Sequence, residues 1–393
     1  MIRQYAWGSR DAIAELQGRS VPADGPEAEL WMGAHPSAPS RLSRDGVVTT
    51  LDAVIARDPA RALGADCLAR FGGRLPFLLK VLSAESALSI QVHPSRAQAE
   101  AGFAADNARG LTLGDPSRNY VDDWPKPELL CALTPFEVLA GLRDPADAAG
   151  LLTALNVIRL APVTGSLASS AADSRVLSCA LASILSWPAD DRPALIDDVV
   201  AACTRLAAGP GPYAAACAAI ARVAADRPGD IGVVAALLLR HSVLQPGEAV
   251  FMPAGGLHAY LRGTGIELLG NSDNVVRAGL TGKHIDVPEL LKLLDPAVAV
   301  PVIEPAEVAP GVVQYVTPAP EFQLYRAELG DEVTALPGAG PRIGLCVDGD
   351  AWLKDASGEV TEVGRGESCF IADADGPVSA SGPARLFLAT AGK

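Results

Sequence analysis

Apolar and polar positions change their rhythm three times along the chain. Residues 1 to about 141 show short apolar runs separated by turns, the pattern of strands. One helical stretch interrupts them, "DPARALGADCLARFGG", ending at Gly72 and Gly73 as a glycine-capped helix does. From Pro145 to about 240 the period lengthens. In "RPALIDDVVAACTRLAAG" the apolar Leu195, Ile196, Val199, Val200, Cys203 and Leu206 recur every three or four positions, with Pro193 near the first turn and Gly209 after the last. Strand texture returns at "LQPGEAVFMPAGGLHAYL" and again from about 311 to the closing "RLFLAT". The chain therefore reads as mainly β with an α-helical insertion. A core is expected over 1–141 and 241–310, a helical insertion over 142–240 and a second β-domain over 311–393.

The last two β regions resemble each other. Gly247, "EAVFM" and "PAGGLH" are matched by Gly366, "ESCFI" and "ADADGP": a turn, an apolar strand and a turn of small residues. The second copy lacks the histidine. Two similar β-barrel modules are expected, of which the first alone holds a ligand.

Composition narrows the function. At 393 residues, 49% hydrophobic and 20% charged, the chain is globular. A net charge of -14 argues against nucleic-acid or anionic-membrane partners, which need clustered cations. The N-terminus has no apolar leader, and the longest apolar run, "IGVVAALLL", is too short to span a bilayer, so a cytoplasmic protein is expected. Seven cysteines, Cys67, Cys131, Cys179, Cys203, Cys217, Cys346 and Cys369, are scattered and never spaced C-x-x-C, which fits reduced thiols packed as small hydrophobes.

Against that background a few polar residues stand out. In "LSIQVHPS" strand alternation puts Gln91 and His93 on one face and Ile90 and Val92 on the other. Such a pair is either satisfied by nearby backbone or is part of a metal site, and the spacing alone does not choose. Gly247, Pro253, Gly255 and His258 have the spacing of the second cupin motif, G-x5-P-x-G-x2-H, although the Asn that often follows is Arg262. Glu128 enters the apolar run "LLCAL", where a carboxylate needs a cation or a metal, unless it sits exposed at a strand end. Two imidazoles, a carboxylate and an amide oxygen, with no thiolate, suit Zn²⁺ or another divalent ion.

Lysine is scarce, at 80, 126, 283, 292, 354 and 393. Lys80 lies in the apolar "LPFLLKVLS" and either serves a site or points to solvent. Lys126 precedes Glu128 by two, between Pro125 and Pro127, so an extended backbone puts both side chains on one face. Arg277 follows Asp273 by four in a polar stretch, a spacing that commonly makes a surface ion pair. The other histidines have plain explanations: His35 in a turn before Pro36, His241 at the C-terminus of an Ala/Leu helix, His284 in a surface loop.

Taken in order, "YAWGS", "AELWMGAHPSAPS", "LPFLLKVLSAESALSIQVHPS", "KPELLCALTPFEVLAGLRD", "PAGGLHAY" and "NSDNVVRAGLTGKHIDV" resemble the signature segments of type I mannose-6-phosphate isomerases (phosphomannose isomerases) over most of the chain. The resemblance implies a cytoplasmic enzyme with a cupin jelly-roll catalytic core, an inserted helical domain and a second, degenerate jelly roll at the C-terminus. It implies one Zn²⁺ per chain, held by Gln91, His93, Glu128 and His258, with active-site positions at Lys80, Lys126, Asp273 and Arg277. The implied partner is a small sugar phosphate, and the oligomeric state is left open, with a monomer admissible. Where the family has Asn-His before Lys-Pro-Glu, this chain has Trp124 and Pro125, which removes a histidine beside the substrate. The expected chemistry moves a proton between adjacent carbons through a cis-enediol, with Lys126 and Arg277 stabilising developing charge and Lys80 and Asp273 shaping the site. Arg143 and Arg262 are offered for the phosphate without further support. Rival readings are a non-catalytic sugar-phosphate-binding protein and another metal-cupin enzyme such as an iron dioxygenase.

Overall fold

The computed structural model describes residues 1–44, 46–170 and 173–393. One strand organises its first half. His258–Gly270 runs for thirteen residues, pairing first with Ile90–Val92 and Phe136–Leu142, then with Phe77–Ala84 and Glu128–Ala132. It thus threads two layers of one eleven-stranded sheet. Between them the register shifts, at Tyr260 and Arg262, and Gly263 follows with φ +133°. A Cβ on Gly263 would lie 2.8 Å from the Phe136 Cα, so only glycine lets the two strands approach there. One layer extends to Glu29–Met32 and Ala249–Met252, the other to Val276–Gly279 and Leu239–Leu244.

Alternation along these strands sorts side chains into three environments. Leu79, Val81, Leu129, Cys131 and Leu268 face outward from the first layer and pack on the helix Pro59–Phe71 and on Phe322, Leu324, Leu345 and Phe387 of the C-terminal strands. Ile90, Val92, Leu139 and Ala259 face outward from the second layer, against Leu195, Val199, Cys217 and Ile220 of the helices. Between the layers lie Leu82, Leu130, Val138, Met252 and Tyr260. With both faces covered, a strand reads as an unbroken apolar run, hence the texture of "LPFLLKVLS". Each large side chain buried in this way contributes roughly 1.5–3 kcal/mol.

The helices Pro145–Leu155, Ala161–Ser169, Arg175–Leu185, Arg192–Ala207 and Ala214–Asp226 lie between the strands Phe136–Leu142 and Leu239–Leu244. Downstream, a nine-stranded sheet repeats the organising device. Arg342–Lys354, again thirteen residues, pairs first with Ser368–Ile371 and Ala384–Thr390, then with Val360–Gly364 and Ser379–Ser381. Gly247 and Gly366 both take positive φ, and each precedes a four-residue strand, Ala249–Met252 and Ser368–Ile371. Leu353, Val363, Leu386 and Leu388 fill the second module. Its sheet begins upstream of 311, at Ala306–Ala309.

Two expectations need correction. The first 141 residues hold further helices, Ala12–Leu16, Leu51–Arg57 and Arg96–Ala108. The last buries only Ala99, Gly102 and Asp106, too little apolar surface to show a period, and its start is marked instead by a capping box between Ser95 and Gln98. His241 lies not at a helix end but in the strand Leu239–Leu244, paired with Glu137 at 2.7 Å. The preceding "VVAALLL" is buried throughout, so its pattern carries no boundary.

Candidate metal centre

A backbone turn and a strand pairing bring the two histidines together. Before the long strand, Gly255 takes φ +82°, which side chains avoid, and donates its N–H to the His93 carbonyl at 3.0 Å. His258 then opens the long strand with its Cα opposite Gln91, and Gln91 is also opposite Arg277. Cross-strand partners share a face, so Gln91, His258 and Arg277 project from the same side of this layer. From the other layer Glu128 continues the inner face of Leu130 and Ala132. Alternation thus places carboxylate and imidazoles in one interior, away from the apolar filling.

Glu128 sits at the centre. Its Oε1 is 3.2 Å from His93 Nε2 and 3.1 Å from Lys126 Nζ, and its Oε2 is 3.1 Å from His258 Nε2. Glu128 and both histidines are buried. One ligand atom from each lies within 4.8 Å of the others. Both imidazoles are turned by backbone carbonyls: His93 Nδ1 lies 2.8 Å from Asn274 O, and His258 Nδ1 lies 3.0 Å from Gly256 O. A carbonyl only accepts, so each Nδ1 carries a proton and each ring turns its Nε2 toward Glu128.

That arrangement is unfavourable without a cation. Burial pushes the His93 imidazole down to about 4, despite the opposing pull of Glu128. Burial would also lift Glu128, but His93 and Lys126 outweigh it and hold the carboxyl well below its usual range. The ionised carboxylate has the Lys126 ammonium on one oxygen, while His93 Nε2, beside the same oxygen, makes no hydrogen bond among the described residues. Two imidazole nitrogens oriented through carbonyl contacts, with a carboxylate, form a divalent-metal donor set with outer supports in place. The residues fit a zinc ion.

Around the cage the other nominated residues fall as follows. Lys80 is buried, 2.9 Å from Glu267 and 3.3 Å from Glu29, with its Nζ 5.1 Å from the Trp31 ring. Burial opposes its charge, but the two carboxylates outweigh that and raise it. Solvent is closed to it because both faces of its strand are covered. Lys126 reaches Glu128 from the extended segment between Pro125 and Pro127, as the two-residue spacing predicts. Asp273 does not pair with Arg277; its partner is His35, at 3.3 Å. Arg277 is half-buried and has no side-chain partner among the described residues, and burial lowers its guanidinium from the ordinary value. Arg143 is taken up by the Leu237 carbonyl and Asp147, and Arg262 by Glu85 on the surface.

Some participants were not nominated from the sequence. Lys283 lies close enough to Arg277 for the guanidinium charge to lower its ammonium, giving a positive pair at the edge of the site. Its scarcity among lysines was the available signal. Asn274, fully buried, is a hub: its side chain accepts from Val121 and Asp122 N–H and donates to the Asp122 and Trp124 carbonyls. It fixes the irregular segment that carries Lys126. Tyr260 projects between Glu128 and Glu267; burial and both carboxylates push its phenol well up, and its hydroxyl makes no hydrogen bond among the described residues.

Residues 1–145 match the family model described as phosphomannose isomerase type I, catalytic domain. The mannose-6-phosphate isomerase of Escherichia coli strain K12 is 37% identical, covering 98% of this chain and 96% of that protein. The Bos taurus mannose-6-phosphate isomerase is 34% identical over 85% of this chain and 82% of its own length. Among solved structures, a zinc-bound mannose 6-phosphate isomerase superposes with a TM-score of 0.89 at 35% identity, covering 100% of this chain and 98% of that one. A variant of Salmonella typhimurium phosphomannose isomerase gives a TM-score of 0.91 at 34% identity, with the same coverage.

Proposed function

The chain belongs to the type I phosphomannose isomerase family, and from that premise we propose that His93, Glu128 and His258, joined by the Gln91 amide, hold one Zn²⁺ and serve the interconversion of mannose 6-phosphate and fructose 6-phosphate. The observation that carries this is the pair of imidazole Nε2 atoms, each turned by a backbone carbonyl, that face one buried carboxylate at 3.2 and 3.1 Å. Zinc bound there supplies Lewis acidity toward the sugar's oxygens. The rest of the chemistry falls to the chain. Removing the proton from C2 of the open aldose leaves an electron pair that forms the C1=C2 bond of a cis-enediol while negative charge moves onto the carbonyl oxygen. The proton removed from C2 returns to C1, and the anionic C1 oxygen takes up the proton released from the C2 hydroxyl, giving the ketose with no net gain or loss of protons.

The Lys126 ammonium, 3.1 Å from Glu128, and the Arg277 guanidinium, without a side-chain partner among the described residues, provide the positive charge that offsets the developing anion. Lys80 holds the inner wall against Glu29 and Glu267. Asp273 stands at the mouth. Arg277 with Lys283 forms the cationic edge suited to a phosphate, which an acidic protein must receive locally. Pro125 stands at the family histidine's place and carries no proton, and Trp124 beside it packs near Phe71 with the guanidinium groups of Arg74 and Arg96 at 5.4 and 5.1 Å from its ring.

The core over 1–141 and 241–310 carries every one of these groups, while 142–240 and 311–393 cover its two outer faces. Among the described residues no helix is long and apolar enough to cross a membrane. We place the protein in the cytoplasm because its buried cysteines are free thiols. Fructose 6-phosphate formation from mannose 6-phosphate, followed by a coupled enzyme, tests the assignment. The zinc-loaded protein turns over, and Glu128→Ala loses at least about 100-fold, since even outer supports of a metal ligand are worth 10 to 100. Tight sugar-phosphate binding with no product would instead favour the non-catalytic reading.

A further inference from the structure

Asp273 owes its place to a residue remote in sequence. His35 is buried in the loop after the strand Glu29–Met32, edge-on to Trp31 with ring centroids 4.8 Å apart. Its Nδ1 is 3.2 Å from the Ser37 backbone N–H and 2.9 Å from the Ser37 hydroxyl. A backbone N–H can only donate, so Nδ1 accepts and the neutral ring carries its hydrogen on Nε2. That nitrogen lies 3.3 Å from Asp273 Oδ2. The backbone N–H of Asp273 is fixed separately, on Asp122 Oδ2 at 2.8 Å. The Asp273 side chain is nonetheless 54% exposed, so one carboxylate edge is pinned by a buried donor and the rest opens toward the mouth of the site.

The titratable groups facing Asp273 are His35 from this loop, Lys126 from the extended segment, Lys80 from the strand Phe77–Ala84 and Asp122 beneath it. Burial opposes the Asp273 charge, and the His35 hydrogen bond with the two lysines outweighs it, holding the carboxyl below its ordinary value. Asp122, more deeply set, is pushed up by burial.

We propose that His35 is a positioning residue whose Nε2–H aims the Asp273 carboxylate across the mouth of the site, where it takes a proton from a substrate hydroxyl and returns it to the product oxygen. No net proton is consumed, and no co-reactant is needed. This rests on the isomerase reading above.

Two substitutions separate the two bonds of His35. Asn places an amide oxygen near the Nδ1 position, keeping the Ser37 contact and losing Asp273. Gln carries an amide N–H toward the Nε2 position, keeping Asp273 and losing Ser37. With mannose 6-phosphate as substrate, His35→Asn should lower kcat on the order of 10²-fold with little change in KM, the scale of a misplaced reacting group. The acid limb of its kcat/KM profile moves to higher pH, and His35→Gln restores both. Wild-type turnover and an unmoved acid limb in His35→Asn, with His35→Gln the impaired variant, would show that His35 serves only its turn and overturn the proposal. Should both variants fold poorly, nitrogen-15 histidine spectra of the wild-type zinc-loaded protein decide the same point. They show His35 as the Nε2–H tautomer, and an Nδ1–H tautomer overturns the proposal. Absence of any isomerase activity in the wild type sinks the isomerase reading, whereas the tautomer reports on the His35 geometry by itself.

Discussion

Lys80 shows what a single buried charge does in this barrel. It balances Glu29 and Glu267 in a place water does not reach, so removing the ammonium leaves two carboxylates without compensation. Lys80→Met should cost about 3 to 5 kcal/mol in denaturant unfolding, the scale for stranding a buried charge, and Glu267→Gln added to it should recover part of the loss. An unchanged midpoint would mean the ammonium is not what balances the pair. Glu137 offers a pH-dependent counterpart at the edge of the helical block, between His241 at 2.7 Å and Arg222. Burial raises its carboxyl, but these two partners outweigh it and the net shift is downward from 4.5. The unfolded chain therefore binds the proton first, and the stabilisation is complete above pH 4.5 and fades as pH falls through the lower folded value. Wild type should exceed Glu137→Gln by about 1 kcal/mol near neutral pH, discounted for the exposure of Arg222, with the gap closing in acid. A gap that stays constant to pH 3 would contradict this.

At the scale of elements, the segment from 121 to 127 has no regular structure yet delivers Lys126 to the cage, because the Asn274 side chain serves as its scaffold. Asn274→Ala leaves several buried backbone groups unpaired and should cost at least about 2 kcal/mol. Turnover should fall about tenfold or more through loosening of Lys126. Zinc content should hold, since His93 contacts the main-chain oxygen of Asn274 and not its side chain. Loss of zinc together with turnover would place the hub in the cage itself. Much of this site was legible in the sequence where it obeys local periodicity: Gln91 and His93 by strand phase, Lys126 and Glu128 by an extended spacing, His258 by a turn of fixed glycines. The partners that complete it belong to distant strands. Nothing near Lys80 names Glu267, and nothing near Asp273 names His35, so the sequence suggested the adjacent Arg277. The helix Arg96–Ala108 was missed because it buries small residues, and His241 was misplaced because a strand follows an apolar run with no polar punctuation.

Across the whole molecule, the β core is covered on two sides. The helices shield Ile90, Val92 and Leu139 on one face, and the C-terminal strands shield Leu79, Val81 and Leu129 on the other. Further ties join Arg70 to the Gly392 and Pro320 carbonyls and Arg96 to Glu321. Such clamping leaves the barrel mouth as the place where Asp273, Arg277 and Lys283 meet solvent, a local cationic edge on a chain of net charge -14. The buried imidazole and carboxylate set is proposed to work only around one zinc ion. Titrating zinc into metal-free protein while following fructose 6-phosphate formation tests it most directly. Turnover should rise linearly to one equivalent per chain and then level off, and full turnover by protein shown to be free of zinc would contradict the account.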